Sequence, residues 1–210
     1  MPILFSAEEF IRLKKILPIY EWGLRTLLTK LDIINEDLQK FQNNASIEYI
    51  RYRIKSPESI AQKLHGMKLE LTADNVKRHL RDVAGIRITC PFARDIYFLA
   101  NTIRNIPDIK VVEEKDYVNT PKPGGYRSYH LITEVPIYFS DKTEKVLVEI
   151  QIRTEAMNFW ATLEHKARYK FQESVPQDLS DELAEIADKI AELDKRMFDI
   201  HEAINKKGNT

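Results

Sequence analysis

The chain is poor in cysteine, in glycine and in net charge, and each shortage excludes something. A single cysteine, Cys90, in 210 residues rules out an intramolecular disulfide and fits a reducing, cytoplasmic compartment. It lies in the apolar run AGIRITC, where a thiol serves as a small buried hydrophobe more often than as a nucleophile. Lys and Arg number 32 against 32 Asp and Glu. With formal charge balanced there is no global pull toward nucleic acid or an anionic membrane, so RNA binding is not indicated. Any polyanion must be held by a local cluster of cations. Only six glycines occur, and neither GxxxxGK[ST] nor GxGxxG is among their settings, so a P-loop and a dinucleotide fingerprint are both excluded. No stretch approaches the roughly 20 apolar residues of a membrane span. The start, MPILFSAEEF, lacks the basic segment and apolar core of a signal peptide.

What is present is helices at both ends and strands between them. Ser6-Ala-Glu-Glu9 reads as a capping box opening a short helix that ends near Pro18. Helical spacing resumes over 20–41 with Leu24, Leu27, Leu28, Leu31, Ile34 and Leu38. IEYIRYRIK predicts a strand over 47–55. Ser56-Pro57 reads as an N-cap and first-turn proline, opening a helix to about residue 68. Thr72 opens another. Strands are predicted over 84–90, over IKVVEEKDY, over 126–135 and over 145–153, with a helix over 91–106 after the first of them. Helices 154–171 and 178–206 close the chain. The class is α+β, a mixed sheet of about five strands flanked by helices. Residues 1–44 are expected to be N-terminal helices, 45–171 the chemical domain and 172–210 a C-terminal helix.

Alternation within the strands sorts their side chains by face. In KVLVEIQIR, Val148, Ile150 and Ile152 oppose Glu149, Gln151 and Arg153. In IEYIRYRIK, Tyr49, Arg51, Arg53 and Lys55 oppose Ile50, Tyr52 and Ile54. Arg87 and Gly85 share a face, and Asp82 stands at the mouth of that strand. After Gly124-Gly125, Tyr126, Ser128 and His130 share a face. A solvated polar face explains any one strand taken alone. Four together supply arginine forks for phosphate, a ring for a base and two hard carboxylates for Mg²⁺, which suits a nucleotide. On the next helix Asn158, Ala161, Glu164 and His165 cluster on one side, while Ala156, Phe159, Leu163 and Ala167 read as the core stripe.

RYRIKSPESI, RDVAGIRI, KPGGYRSYH and VEIQIRTEAMNFWATLEH, in that order and spacing, closely resemble the synthetase domain of the RelA/SpoT family over about residues 45–171. That resemblance implies a nucleotidyltransferase-like fold and transfer of pyrophosphate from ATP to the 3′-hydroxyl of GDP or GTP, giving the stringent-response alarmones ppGpp and pppGpp. With no His-Asp dipeptide for a hydrolase domain, the chain looks like a small, single-domain alarmone synthetase of that family. Position by position, the resemblance implies that Arg53, Lys55, Ser59, Lys63 and Arg87 bind ATP, with Arg53 and Arg87 on either side of adenine. It implies Asp82 and Glu149 as Mg²⁺ ligands, with Glu149 also the base for the 3′-hydroxyl. Tyr126 matches the ring stacked on guanine. Lys122 and His130 match acceptor-phosphate contacts, and Gln151, Asn158, Ala161 and Glu164 match the acceptor wall. Arg127 and Tyr129, facing away, are expected to support.

The charged motif before that loop departs from the family's two forms: Glu113-Glu114-Lys115-Asp116 mixes them and leaves the GDP-versus-GTP preference open. The terminal helices carry no motif. By analogy with small family members they imply a homotetramer. Leu183, Ile186, Ile190, Leu193, Met197 and Ile200 recur at helical spacing and would supply the interface. An inactive sensor of guanosine nucleotide or RNA is the competing reading, but it needs no carboxylates beside phosphates.

Overall fold

The computed structural model describes residues 4–41, 47–170 and 176–208. The expected domain limits at 44/45 and 171/172 fall outside them. The elements run α1 (Ala7–Phe41), β1 (Tyr49–Ile54), α2 (Pro57–Gly66), α3 (Ala73–His79), β2 (Ala84–Cys90), α4 (Ala93–Arg104), β3 (Lys110–Asp116), β4 (Tyr129–Tyr138), β5 (Thr143–Thr154), α5 (Glu155–Lys170) and α6 (Gln177–Gly208). The five strands form one sheet in the order β1-β2-β5-β4-β3. Only β2 and β5 pair in parallel; the other neighbours are antiparallel. The α+β mixed sheet is therefore as expected.

One face of the sheet is apolar. Ile86, Ile88, Leu131, Val148, Ile150 and Ile152 pack there with buried residues of α1 and α4 in a single core. Each such side chain contributes about 1.5–3 kcal/mol through burial. The opposite face carries the polar set.

Three local expectations are corrected by tertiary packing. First, α1 does not stop at Pro18 but runs through it. Pro18 has no N–H to donate and crowds the preceding turn, at a cost of about 3 kcal/mol. Leu13, Ile16, Tyr20, Leu24 and Leu27 are buried on both sides of it, and their shared docking on the sheet offsets that loss. The capping box is half used: Ser6 Oγ accepts from Glu9 N at 3.2 Å, but the Glu9 carboxylate accepts from Ala73 N at 2.8 Å and ties α1 to the start of α3.

Second, β4 begins at Tyr129, not Tyr126, and continues through Pro136. Pairing with β3 ends at Glu134. The missing N–H of Pro136 thus costs no bond on that side. Third, the core stripe of α5 is Met157, Trp160 and Ala161. Phe159 and Leu163 are 61% and 46% exposed. The α5 sequence offers two apolar stripes, and the side that docks is the one where Trp160 Nε1 donates to the Leu183 carbonyl of α6 at 2.9 Å. Caps at Ser56 and Thr72 accept from Ser59 N and Asn75 N as expected.

Candidate active site

Register carries the polar residues into two rows across the open face of the sheet. Arg51, Arg87, Gln151, His130 and Lys115 are lateral neighbours in one row; Arg53, Gly85, Glu149, Ile132 and Glu113 form the next. Gly85 presents no side chain between Arg53 and Glu149. A Cβ built there would meet only Arg53 Cγ, at 3.9 Å.

Two clefts open on these rows. One, of about 200 Å³, is walled by Arg51, Arg53, Gly85, Arg87, Glu149 and Gln151. The other, of about 260 Å³, is walled by Lys63, Arg81, Asp82, Lys115, His130 and Glu149 among others. Glu149 belongs to both.

The first cleft is strongly cationic. Arg87 Nε is buried without a hydrogen-bond partner among the described residues. Burial, then the charges of Arg153, Arg53 and Arg51, weigh against its protonated form. Such a group is eased by an anion or a π-face laid against it.

The second cleft centres on Asp82. Its Oδ2 receives Lys55 Nζ at 2.5 Å and Lys63 Nζ at 2.7 Å, while its Oδ1 is buried with no hydrogen-bond partner among the described residues. Burial pushes the Asp82 carboxyl up, but the two lysines outweigh it and hold it below the usual range. Burial is also the largest influence on Lys55 and draws its ammonium below the usual lysine range, with Asp82 opposing. Burial likewise pushes Glu149 up, yet His130 and Gln151 hold it down as a carboxylate. The fit to Mg²⁺ is good: hard oxygens, one of them orphaned, beside cations that phosphates would engage. Among the described residues no group of three or more His, Cys, Asp or Glu could hold an ion.

Beside His130 lies an aromatic corner. Tyr126 hydroxyl and His130 Nε2 are 2.8 Å apart. Lys122 Nζ sits 4.5 Å from the Tyr117 ring and 5.0 Å from the Tyr126 ring. The loop turns through Gly124 and Gly125 at φ 93° and 91°, values that favour glycine. Arg127 and Tyr129 do face away: Arg127 bonds Asp188 of α6 at 3.0 Å, and Tyr129 hydroxyl donates to Glu114 at 3.1 Å.

The remaining expected residues are dispersed. Ser59 sits at the α2 N-terminus and accepts from Ser56 Oγ at 3.2 Å. Asn158 donates to Tyr49 hydroxyl at 3.1 Å, Ala161 is buried against Trp160 and Ala187 with Tyr126 packed on that cluster, and Glu164 is half-buried one turn on. None of these three α5 residues walls either cleft. Of the charged motif only Glu113 and Lys115 face the site, paired to each other at 2.6 Å and with Arg81 on Glu113. Glu114 and Asp116 point away, to Arg104 and to the amides of Val118 and Asn119. Sequence reasoning missed Tyr117, which follows the charged motif without periodic signal. It also gave no role to Arg153, although alternation placed it beside Gln151.

Comparison with known proteins gives a consistent outcome. The family described as the region found in RelA / SpoT proteins matches residues 52–174. GTP pyrophosphokinase YwaC of Bacillus subtilis is 43% identical over 192 residues, covering 91% of each chain. GTP pyrophosphokinase YjbM of the same organism is 34% identical over 181 residues, 86% of this chain and 84% of that one. The crystal structure of small alarmone synthetase 1 from Bacillus subtilis bound to its product pppGpp superposes with a TM-score of 0.84 at 33% identity, covering 92% of this chain and 98% of that one.

Proposed function

The chain belongs to the RelA/SpoT family, and on that premise we propose that it is a GTP pyrophosphokinase, moving pyrophosphate from ATP to the 3′-hydroxyl of GDP or GTP. The carrying observation is Glu149, one carboxylate in the wall common to an arginine-lined cleft and a cleft holding Asp82, Lys63 and His130. Glu149 thereby lies between the side that would receive adenine and the side where the phosphate-binding lysine, Asp82 and His130 converge, the position from which transfer can be assisted.

In this reading Arg53 and Arg87 receive adenine in the cleft that Gly85 keeps open. Lys55, Lys63 and Ser59 take the ATP phosphates, the lysines turning from Asp82 as phosphate oxygens arrive. The acceptor base lies on Tyr126, its phosphates near Lys122 and His130, with Gln151, Asn158, Ala161 and Glu164 backing that side. The 3′-oxygen bonds to the β-phosphorus, the bond from that phosphorus to the α–β bridging oxygen breaks, and AMP leaves. Glu149 accepts the hydroxyl proton. Asp82 and Glu149 would hold Mg²⁺, which when bound supplies neutralisation of charge on the transferred phosphoryl oxygens. No observation favours the inactive sensor. Residues 45–171 carry the chemistry, and 172–210, with the exposed Phe159 and Leu163, offer a surface for self-association into a tetramer. Among the described residues no helix is long and apolar enough to cross a membrane, and the cytoplasmic assignment rests on cysteine usage. The test is to incubate the protein with Mg²⁺, ATP and GDP or GTP and identify the products: AMP with a 3′-pyrophosphorylated guanosine nucleotide is expected, and pyrophosphate release instead would overturn the assignment.

A further inference from the structure

Five side chains where β4, β5 and the Gly124-Gly125 turn meet close on one another in a ring. Glu149 Oε1 faces His130 Nδ1 at 3.4 Å. His130 Nε2 meets the Tyr126 hydroxyl at 2.8 Å. Arg153 Nη2 donates to that hydroxyl at 2.6 Å and to Gln151 Oε1 at 2.8 Å. Gln151 Nε2 donates to Glu149 Oε2 at 3.0 Å.

The directions of these bonds follow from the two ends. Arginine can only donate and an ionised carboxylate can only accept. Gln151 must therefore turn its oxygen to Arg153 and its nitrogen to Glu149; a flipped amide would face oxygen to oxygen and N–H to N–H. The Tyr126 oxygen accepts from Arg153, which leaves its proton for His130 Nε2. His130 then carries its own hydrogen on Nδ1, toward Glu149. Two arms thus lead from one guanidinium to the two oxygens of one carboxylate. Each of those oxygens keeps a second lone pair for the reaction.

We propose that Arg153 is a positioning residue for the transfer step: through Gln151 on one arm and Tyr126 and His130 on the other, it sets the orientation of Glu149 and ties it to the ring that receives the acceptor base. The proposal rests on the pyrophosphokinase reading. Arg153 is well placed for this because it cannot move freely: it is 4% exposed, and its Nε donates at 3.3 Å to Ser128 Oγ, itself buried. Its guanidinium lies 5.0 Å from the Tyr126 ring, the same distance as the Lys122 ammonium. Lys122 is exposed and Arg153 is buried, so a base stacking on Tyr126 displaces the lysine and leaves the arginine. Tyr126 then has two separable functions, a face for stacking and a hydroxyl for the circuit.

Tyr126→Phe separates them. It keeps the ring and deletes both contacts of the hydroxyl. With ATP and GDP, kcat should fall about tenfold or more, the scale seen when outer partners that orient a functional ligand are removed, while the acceptor KM stays within about threefold. Arg153→Met cuts both arms and should lose at least as much kcat, and the double variant should lose no more than Arg153→Met alone, since the arm that Tyr126→Phe cuts is already among those lost. An unchanged kcat in Tyr126→Phe, or losses that multiply in the double variant, would overturn the proposal. Nitrogen-15 NMR of His130 at about pH 8 reads the circuit without turnover. Wild type should show the Nδ1–H tautomer, and Tyr126→Phe should shift the Nε2 resonance as its hydroxyl partner is lost while Glu149 keeps the hydrogen on Nδ1; an Nε2 resonance unchanged in Tyr126→Phe, or an Nε2–H tautomer in wild type, overturns the proposal. If wild type shows the Nδ1–H form yet releases no AMP, the circuit stands and the reaction assignment falls.

Discussion

Glu149 is the residue on which most depends, and its surroundings explain why it stays charged. Burial alone would raise its carboxyl, but His130 and Gln151 keep it ionised and able to take a proton. Glu149→Gln preserves shape and removes the anionic carboxylate proposed to accept the hydroxyl proton. Turnover should fall about 10²–10⁴-fold, the usual worth of a positioned general base, with ATP affinity within about twofold; initial rates of AMP release and equilibrium ATP binding check the two halves. Tyr126→Ala removes the ring proposed to receive the acceptor base. Losing one base–aromatic stack costs about 1–3 kcal/mol, so the acceptor KM should rise far more than the ATP KM. Equal increases in both would remove Tyr126 from the acceptor side.

At the scale of elements, the Gly124-Gly125 turn joins the site to the C-terminal helix. A Cβ on Gly125 would lie 2.4 Å from Ala187 Cβ and 3.3 Å from Ala184 Cα. With φ at +91° an L side chain is strained there as well. Gly125→Ala should therefore push the loop off α6. The expected signature is a lower melting temperature and a raised acceptor KM with the ATP KM retained, measured by calorimetry and steady-state kinetics. An acceptor KM equal to wild type would mean that the docking of this loop does not position Tyr126.

For the whole molecule, α6 has two faces with different tasks. On one it is fastened to its own chain: Thr154 Oγ1 donates to Asp194 at 2.6 Å, Arg94 bonds Glu202 at 2.9 Å, and Phe198 meets Phe92 edge-on at 5.3 Å. Ile190 and Leu183 pack on Trp160 and Ala187. On the other, Ile186, Leu193, Met197, Ile200 and Ile204 are exposed. An apolar strip of that length on a charged helix fits burial against another copy. Light scattering should give a mass several times the 24.6 kDa of one chain; a monomer at micromolar concentration would end the oligomer proposal. Deleting 178–210 should weaken acceptor use in any case, because α6 braces Gly125 and Arg127 within the chain.

Period and chemistry in the sequence were enough for whatever depends on neighbours along the chain. Alternation placed Val148, Ile150 and Ile152 in the core and Glu149 and Gln151 opposite, because successive strand residues must point to opposite faces. Ser56 and Thr72 cap helices because their hydroxyls reach amides three residues on. Gly124 and Gly125 turn because they lack a Cβ. Tertiary structure decided what depends on distant partners. Pro18 reads locally as a stop, yet burial on both sides of it carries α1 through. Two stripes of α5 are apolar, and only the contact with Leu183, 23 residues away, selects Trp160 over Phe159. Arg153 looks like one more polar side chain on a strand. Its function appears only when Tyr126, 27 residues earlier, is brought to its guanidinium, because a hydrogen-bonded ring closes in space and leaves no spacing in the sequence.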